Sequence, residues 1–149
     1  MQLLKAYNIY NNRGRILQPY IVENLIDMHG NVRHIAPEGS TQVLSQATAE
    51  RMKSILIKTV DKGTGVGAIT EGLQVGGKTG TAHIAERGRY VRKYNTSFFG
   101  FANDAKSKYT IGVTVIQPKA NHFASLTAVP VFKQVVDLLV EFDYLRPQI

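Results

Sequence analysis

Apolar residues recur at helical spacing in three places and at strand spacing in two. Leu3, Tyr7 and Tyr10 share one face, flanked by Leu4, which predicts a helix over residues 2–12. Asn11, Asn12 and Gly14 follow as stop and turn signals. Short apolar runs occupy residues 16–28, with Pro19 favouring extended backbone ahead of it. Ile21, Val22, Leu25 and Ile26 are expected to be buried there. His29-Gly30-Asn31 reads as a turn, residues 32–35 as a short return strand and residues 37–40 as a loop. Ser45 is a natural N-cap for a helix over 46–62. Met52, Ile55, Leu56, Thr59 and Val60 form its apolar stripe, and Gly63 fits the position just past its end.

Gly63-Thr64-Gly65-Val66-Gly67 is too glycine-rich for regular structure. Beyond Ala82 the period changes from helical to alternating. Residues 84–93 are polar and basic and suit a hairpin loop. Ser97, Phe99 and Phe101 alternate with Phe98, Gly100 and Ala102, as in a strand. Residues 103–106 make a turn, and Tyr109, Ile111, Val113 and Val115 alternate through a second strand that is apolar enough on both faces to be central in the sheet or covered on both sides. A last helix starts at Pro130, with Phe132, Val135, Val136, Leu139 and Phe142 as its stripe, and Pro147 marks its end. With an extended stretch at 75–83, the order is helices, three strands joined by hairpin-length connections, then a helix. That is an α+β fold with an antiparallel sheet.

Composition narrows this picture only a little. A chain of 149 residues with 44% apolar content is one ordinary domain with enough material for a core. Cysteine is absent, which removes disulfides and thiolate metal sites. No run approaches the roughly 20 apolar residues that span a bilayer. Net charge is +7, but the basic residues are scattered; the densest group is Arg87, Arg89, Arg92 and Lys93. No nucleic-acid recognition motif accompanies them, so the charge reads as a solvated surface. His29, His34, His83 and His122 are too far apart in the chain to suggest a metal site, and no cofactor is called for.

The chemistry concentrates in Gly76-Gly77-Lys78-Thr79-Gly80-Thr81-Ala82. From Gly72 to Thr79 the residues spell G-x-x-x-x-G-K-[ST], the phosphate loop of nucleotide-binding proteins. That loop needs a core strand before it and a helix after it, so that loop amides and a helix N-terminus cradle the phosphates. Residues 64–71 make a poor core strand, and Gly80-Thr81-Ala82-His83 carries no helical signal. The other reading is an edge strand over 75–83, with Lys78 on one face and Thr79 and Thr81 on the other. An ammonium beside two hydroxyls suits a carboxylate, and the Thr81 amide could face a developing oxyanion. K-T-G is one of the active-site motifs of serine β-lactamases and penicillin-binding proteins.

The neighbouring residues extend this match. Residues 3–14, Gly63-Thr64-Gly65, Gly77-Lys78-Thr79-Gly80-Thr81-Ala82, Ser97-Phe98-Phe99-Gly100-Phe101-Ala102, Val113-Thr114-Val115-Ile116 and Ala128-Val129-Pro130-Val131-Phe132 occur in the order and spacing of one family. The chain resembles the C-terminal part of the transpeptidase domain of class B penicillin-binding proteins, especially the cell-division type. The resemblance implies a partial transpeptidase-like domain over residues 1–149. It implies a parent enzyme at the extracytoplasmic face of the inner membrane that cross-links peptidoglycan. In that family a serine attacks the D-Ala-D-Ala end of a stem peptide, and β-lactams acylate the same serine. By this resemblance Lys78 orients the substrate and shapes the local field, Thr79, Gly80 and Thr81 hold its carboxylate, and the Thr81 amide is an oxyanion donor.

Two features depart from the family pattern. No Ser-x-x-Lys and no Ser-x-Asn occurs in the chain, and both motifs, like any membrane segment, would precede Met1. The chain alone is therefore expected to be inactive. His83 follows Thr81-Ala82 where the family often has an amide or acidic side chain, and it reads as a groove residue rather than a catalyst. The resemblance further implies that two strands of a five-stranded sheet are missing beside residues 108–117. That edge is expected to drive self-association. A non-catalytic peptidoglycan- or peptide-binding module and a nucleotide-binding protein are the alternatives.

Overall fold

The computed structural model describes residues 1–35 and 39–148. Helix α1 (Gln2–Asn11) comes first, then a two-residue strand β1 (Arg15–Ile16) paired with β4 (Thr41–Gln42). Between them stands a small hairpin of β2 (Asn24–Ile26) and β3 (Val32–His34). Helix α2 (Gln46–Asp61) leads through a 3-10 turn (Val66–Ala68) into β5 (Gln74–Glu86), β6 (Arg89–Asn103) and β7 (Lys108–Ile116). A second 3-10 turn (Ala124–Leu126) precedes helix α3 (Ala128–Glu141). The main sheet is antiparallel in the order β5-β6-β7. The α+β reading therefore holds: the expected return strand at 32–35 is β3 of a small hairpin, and the β1–β4 ribbon is added to it and to the three strands of the main sheet.

Alternation along β6 organises the layers. Phe98 points to α3 and meets Phe132 edge-on at 4.7 Å between ring centroids. Phe99 and Phe101 point the other way, where Tyr7 of α1 lies 5.8 Å from Phe99 and the Lys53 ammonium of α2 sits 5.7 Å over the Phe101 ring. Phe98, Phe101 and Phe132 are fully buried. Helix α3 thus covers one face and the α1–α2 pair the other. The ends of α1 and β6 are tied by a buried reciprocal amide pair: Asn11 Nδ2 donates to Asn103 Oδ1 (3.0 Å) and Asn103 Nδ2 to Asn11 Oδ1 (2.7 Å).

Several local expectations hold. Ser45 caps α2 by accepting from the Thr48 amide at 3.1 Å. Turn residues His29 and Asn31 donate their amides to Asp27 Oδ1. Gly63 follows the C-cap residue Lys62, although without the left-handed backbone that usually accompanies that position.

Others are corrected. Ile21, Val22, Leu25 and Ile26 are exposed, Ile21 by 90% and Ile26 by 70%, because their hairpin projects from the body instead of packing on it. Residues 84–93 are not a loop. β5 and β6 continue through them to a two-residue turn at Arg87 (φ 53) and Gly88 (φ 76), whose paired positive φ angles match the twist of the strands they join. Polar, basic composition concealed a solvated hairpin arm that needs no apolar face. Helix α3 begins at Ala128, so Pro130 is its third residue, still in the turn where a missing amide costs nothing. The turn between β6 and β7 is residues 104–107, one residue later than expected. β7 is half-covered, by α1 on one face and α3 on the other, and it lies at the sheet edge. The loop expected at 37–40 falls partly outside the described residues.

Candidate functional site

Gly77 lets β5 lie flat against its support. A side-chain carbon added there would stand 2.6 Å from Phe98 Cζ and 2.8 Å from the Phe99 carbonyl oxygen, closer than atoms pack. At the neighbouring Gly76 a side-chain carbon would stand 3.0 Å from the Ile57 amide nitrogen of α2, so its absence lets β5 approach that helix, and the Thr59 hydroxyl reaches the Gly77 carbonyl. The same hydroxyl lies 2.8 Å from the Leu56 carbonyl, and its single hydrogen serves one acceptor at a time. Thr59 entered the sequence reading as one of an apolar stripe. A hydroxyl on a buried helix face was the available signal for this contact.

An antiparallel strand alternates backbone groups between its two edges. The Gly77 carbonyl points away from β6, since α2 takes it. The Thr79 carbonyl does the same, accepting from Lys78 Nζ at 3.0 Å. Thr81 is in the same phase, so its amide lies on the edge that has no strand beside it. Residues 75–83 are thus an edge strand, as expected, within a longer one.

Lys78 and Thr79 start on opposite faces, yet the lysine folds over the edge. Its ammonium lies 3.2 Å from Thr79 Oγ1, and Thr79 Oγ1 lies 2.7 Å from Thr64 Oγ1. One cation and two hydroxyls therefore converge at the rim. Thr64, from the glycine-rich segment after α2, is the member the sequence reading quoted without giving it a role. Lys78 and Thr81 are exposed, and Thr79 and Gly80 half-buried. The Thr81 hydroxyl makes no hydrogen bond among the described residues, which leaves it free for a ligand.

Ser45 caps α2, Ser54 donates to the Glu50 carbonyl at 2.9 Å, and Ser97 lies under Gly80. The phosphate-loop pattern is spread over a turn at Gly72 and an extended strand from Gln74 onward, so its amides form no cradle. His83 faces Tyr94, 4.5 Å between ring centroids. A groove of about 370 Å³ lies away from Lys78, between Leu4, Asn8, Leu17, Tyr20 and Tyr109. Among the described residues no three metal-ligating side chains come together.

An antiparallel sheet between helices, with Lys-Thr-Gly-Thr on its free edge strand, defines a class, and comparison with known proteins identifies it. The penicillin binding protein transpeptidase domain family matches residues 1–137. The probable peptidoglycan D,D-transpeptidase PenA of Neisseria flavescens is 32% identical over 139 residues, covering 91% of this chain and 32% of that protein. Stage V sporulation protein D of Bacillus subtilis is 32% identical over 140 residues, covering 91% of this chain and 22% of its own length. The crystal structure of penicillin-binding protein 3 from Mycobacterium tuberculosis superposes with a TM-score of 0.83 at 25% identity, over 99% of this chain and 36% of that one. The same relative has been solved with aztreonam and with ampicillin. The chain belongs to the penicillin-binding protein transpeptidase family, in its class B branch. It spans 22–32% of the length of these curated relatives. No helix among the described residues is long and apolar enough to cross a membrane.

Proposed function

We propose that this chain is the C-terminal part of a transpeptidase domain and supplies the carboxylate-binding wall of a peptidoglycan D,D-transpeptidase. The observation that carries the reading is the convergence of Lys78, Thr79 and Thr64 at the unpaired rim of β5, with the Thr81 hydroxyl unengaged beside them. The Thr79 and Thr81 hydroxyls receive the terminal carboxylate of a D-Ala-D-Ala peptide or a β-lactam. Gly80 between them keeps the rim open. Lys78 supplies the positive field that orients the anion. The Thr81 amide on the free edge donates to the oxyanion that forms when the carbonyl is attacked. The attacking serine comes from sequence outside these 149 residues, since no serine lies in a Ser-x-x-Lys motif.

The parent enzyme on this reading works in cell division at the extracytoplasmic face of the membrane, held there by a segment outside this chain. It needs no metal or cofactor, because positioned donors and a serine suffice for acyl transfer. Alone, the chain also pairs with a second copy of itself through the outward edge of β7. Its outward amides are those of Thr110, Gly112, Thr114 and Ile116, the phase opposite to the residues bonded to β6, and its only charge is Lys108. A fluorescent penicillin tests the catalytic part. No covalent adduct is expected with this chain; an adduct that survives denaturation would refute the assignment.

A further inference from the structure

Coverage of β7 changes along its length. Its even-numbered side chains share the α1 face of the sheet, since Thr110 stands opposite Phe101 and Gly112 opposite Phe99 in the ladder. At one end of that face Thr110 is half-buried and accepts from Asn8 Nδ2 of α1 at 3.2 Å. Past it Gly112, Thr114 and Ile116 are exposed, Ile116 by 72%. Helix α1 therefore roofs one end of the strand and leaves the other bare. Beside the roofed end lies the groove of about 370 Å³, lined mainly by Leu4, Leu17, Pro19, Tyr20 and Tyr109. Lys5 Nζ donates to Gln18 Oε1, which ties the 17–20 wall of the groove to α1. One end of β7 thus offers an apolar slot, and the other offers an exposed isoleucine.

Slot and isoleucine are placed symmetrically about the middle of the strand. β7 runs from Lys108 to Ile116, so its central residue is Gly112. Two copies paired antiparallel about Gly112 match the whole strand, Thr110 with Thr114 and Lys108 with Ile116. These even positions have the outward amides, because the Gln117 amide, in the odd phase, donates to the Tyr94 carbonyl of β6. Opposite residues in a ladder share a face. Ile116 of the second copy then lies on the α1 side, beside Lys108 and Thr110, which border the groove. The Phe99 ring lies over Gly112 where a side chain would stand, so the two Phe99 rings flank the axis. Charge favours the same arrangement. Lys108 is the one charge on the strand, and parallel in-register pairing would stack it on itself. The antiparallel arrangement separates the two lysines by roughly 27 Å, well beyond the screening length of about 8 Å.

We propose that β7 docks a second copy of this chain antiparallel about Gly112, with Ile116 of each copy seated in the other's groove between Leu4, Leu17 and Tyr20. This rests on the self-association reading and adds to it the register, the face and the side chain that hold the pair. The product is one continuous sheet, with both α1–α2 layers on one face and both α3 helices on the other. Each copy's roofed end covers the other's bare end.

The chain has no cysteine, so introduced thiols report the register without background. A mixture of the Thr110→Cys and Thr114→Cys chains should form a disulfide-linked heterodimer under mild oxidation. In a hydrogen-bonded antiparallel pair the Cα atoms lie about 5.5 Å apart, within disulfide reach. Each variant alone should stay uncross-linked, since its two thiols then stand roughly 14 Å apart along the ladder. Ile116→Asp should weaken the dimer about a hundredfold in sedimentation equilibrium, about tenfold for each of the symmetric seats. The melting temperature in dilute solution should hardly change. Cross-links in either single-variant sample, or a dimer that Ile116→Asp leaves intact, overturn this docking. If Thr114→Pro still weakens that dimer, association through β7 stands without it. A chain that stays monomeric at about millimolar concentration overturns both.

Discussion

The sheet has two edges, and they are built in opposite ways. On the β5 edge two of the outward carbonyls already have a partner: Thr59 takes that of Gly77, and Lys78 takes that of Thr79. A helix stands against it, and a cation and hydroxyls crowd its rim. On the β7 edge the outward positions are Thr110, Gly112, Thr114 and Ile116, and the side-chain contact recorded there is Asn8 Nδ2 to Thr110 Oγ1 at 3.2 Å. Asn8 Oδ1 is buried beside it without a partner among the described residues. An edge whose backbone is occupied resists another strand and can offer its side chains to a small ligand. An edge whose backbone is free invites a strand. On the proposed function, ligand recognition and chain recognition fall on the two sides of one sheet.

Four substitutions or conditions probe that contrast, the largest effect first. Phe98→Ala removes the side chain on which both outer strands rest, and it should cost about 3–5 kcal/mol in a denaturant titration. Both edges should fail together. Thr59→Val strands the Gly77 carbonyl and should cost about 1–3 kcal/mol, with amide-exchange protection lost along β5 and kept along β7. Loss of protection in both strands would mean that the edges are not independent. Thr114→Pro removes an outward donor from β7 without touching its ladder to β6. Self-association should weaken at least about tenfold, or 1.4 kcal/mol, by sedimentation equilibrium, with the melting temperature nearly unchanged. An unaltered dimer would place the contact elsewhere.

The smallest effect concerns the turn that launches β7. Asp104 accepts from the amides of Lys106 and Ser107 at 2.6 Å and from that of Arg146 at 2.7 Å, which pins the turn to the C-terminal segment. Hydrogen bonds from the Ser107, Arg146 and Lys106 amides, in that order, hold its carboxyl below the ordinary value. A depressed pKa stabilises the folded state above the unfolded value of about 4 and ceases to do so as pH falls through the folded one. Acidification from pH 5 to below the ordinary carboxylate range should loosen the 104–107 turn in NMR, with the change lagging behind that of an ordinary carboxylate, while the turn at Arg87 and Gly88, whose amides no Asp104-like clasp holds among the described residues, stays as it is. Asp104→Asn should abolish that difference.

The same contrast explains what could be read from the residues. The strands of the sheet were legible because Phe98 to Ala102 and Tyr109 to Val115 alternate under a core, and Lys78, Thr79 and Thr81 were legible because they are contiguous. The hairpin arm at 84–93 was not, since a solvated two-stranded arm has no apolar face to reveal its period. Ile21 to Ile26 misled in the other direction: apolar content signals burial only where something packs on it. The convergence of Thr59 and Thr64 on β5 depends on where α2 and the segment after it meet the strand, 18 and 15 residues away in sequence, which no local pattern encodes.

On the proposed function the guarded β5 edge receives a terminal carboxylate. The direct measurement is a two-dimensional NMR titration of the chain with N-acetyl-D-Ala-D-Ala and, separately, with ATP. Saturable shifts are expected at Lys78, Thr79, Gly80 and Thr81, with a dissociation constant on the order of millimolar because only one wall of the site is present. No such shifts are expected with ATP. Shifts confined to β7, or an ATP response centred on residues 72–79, would contradict the carboxylate reading.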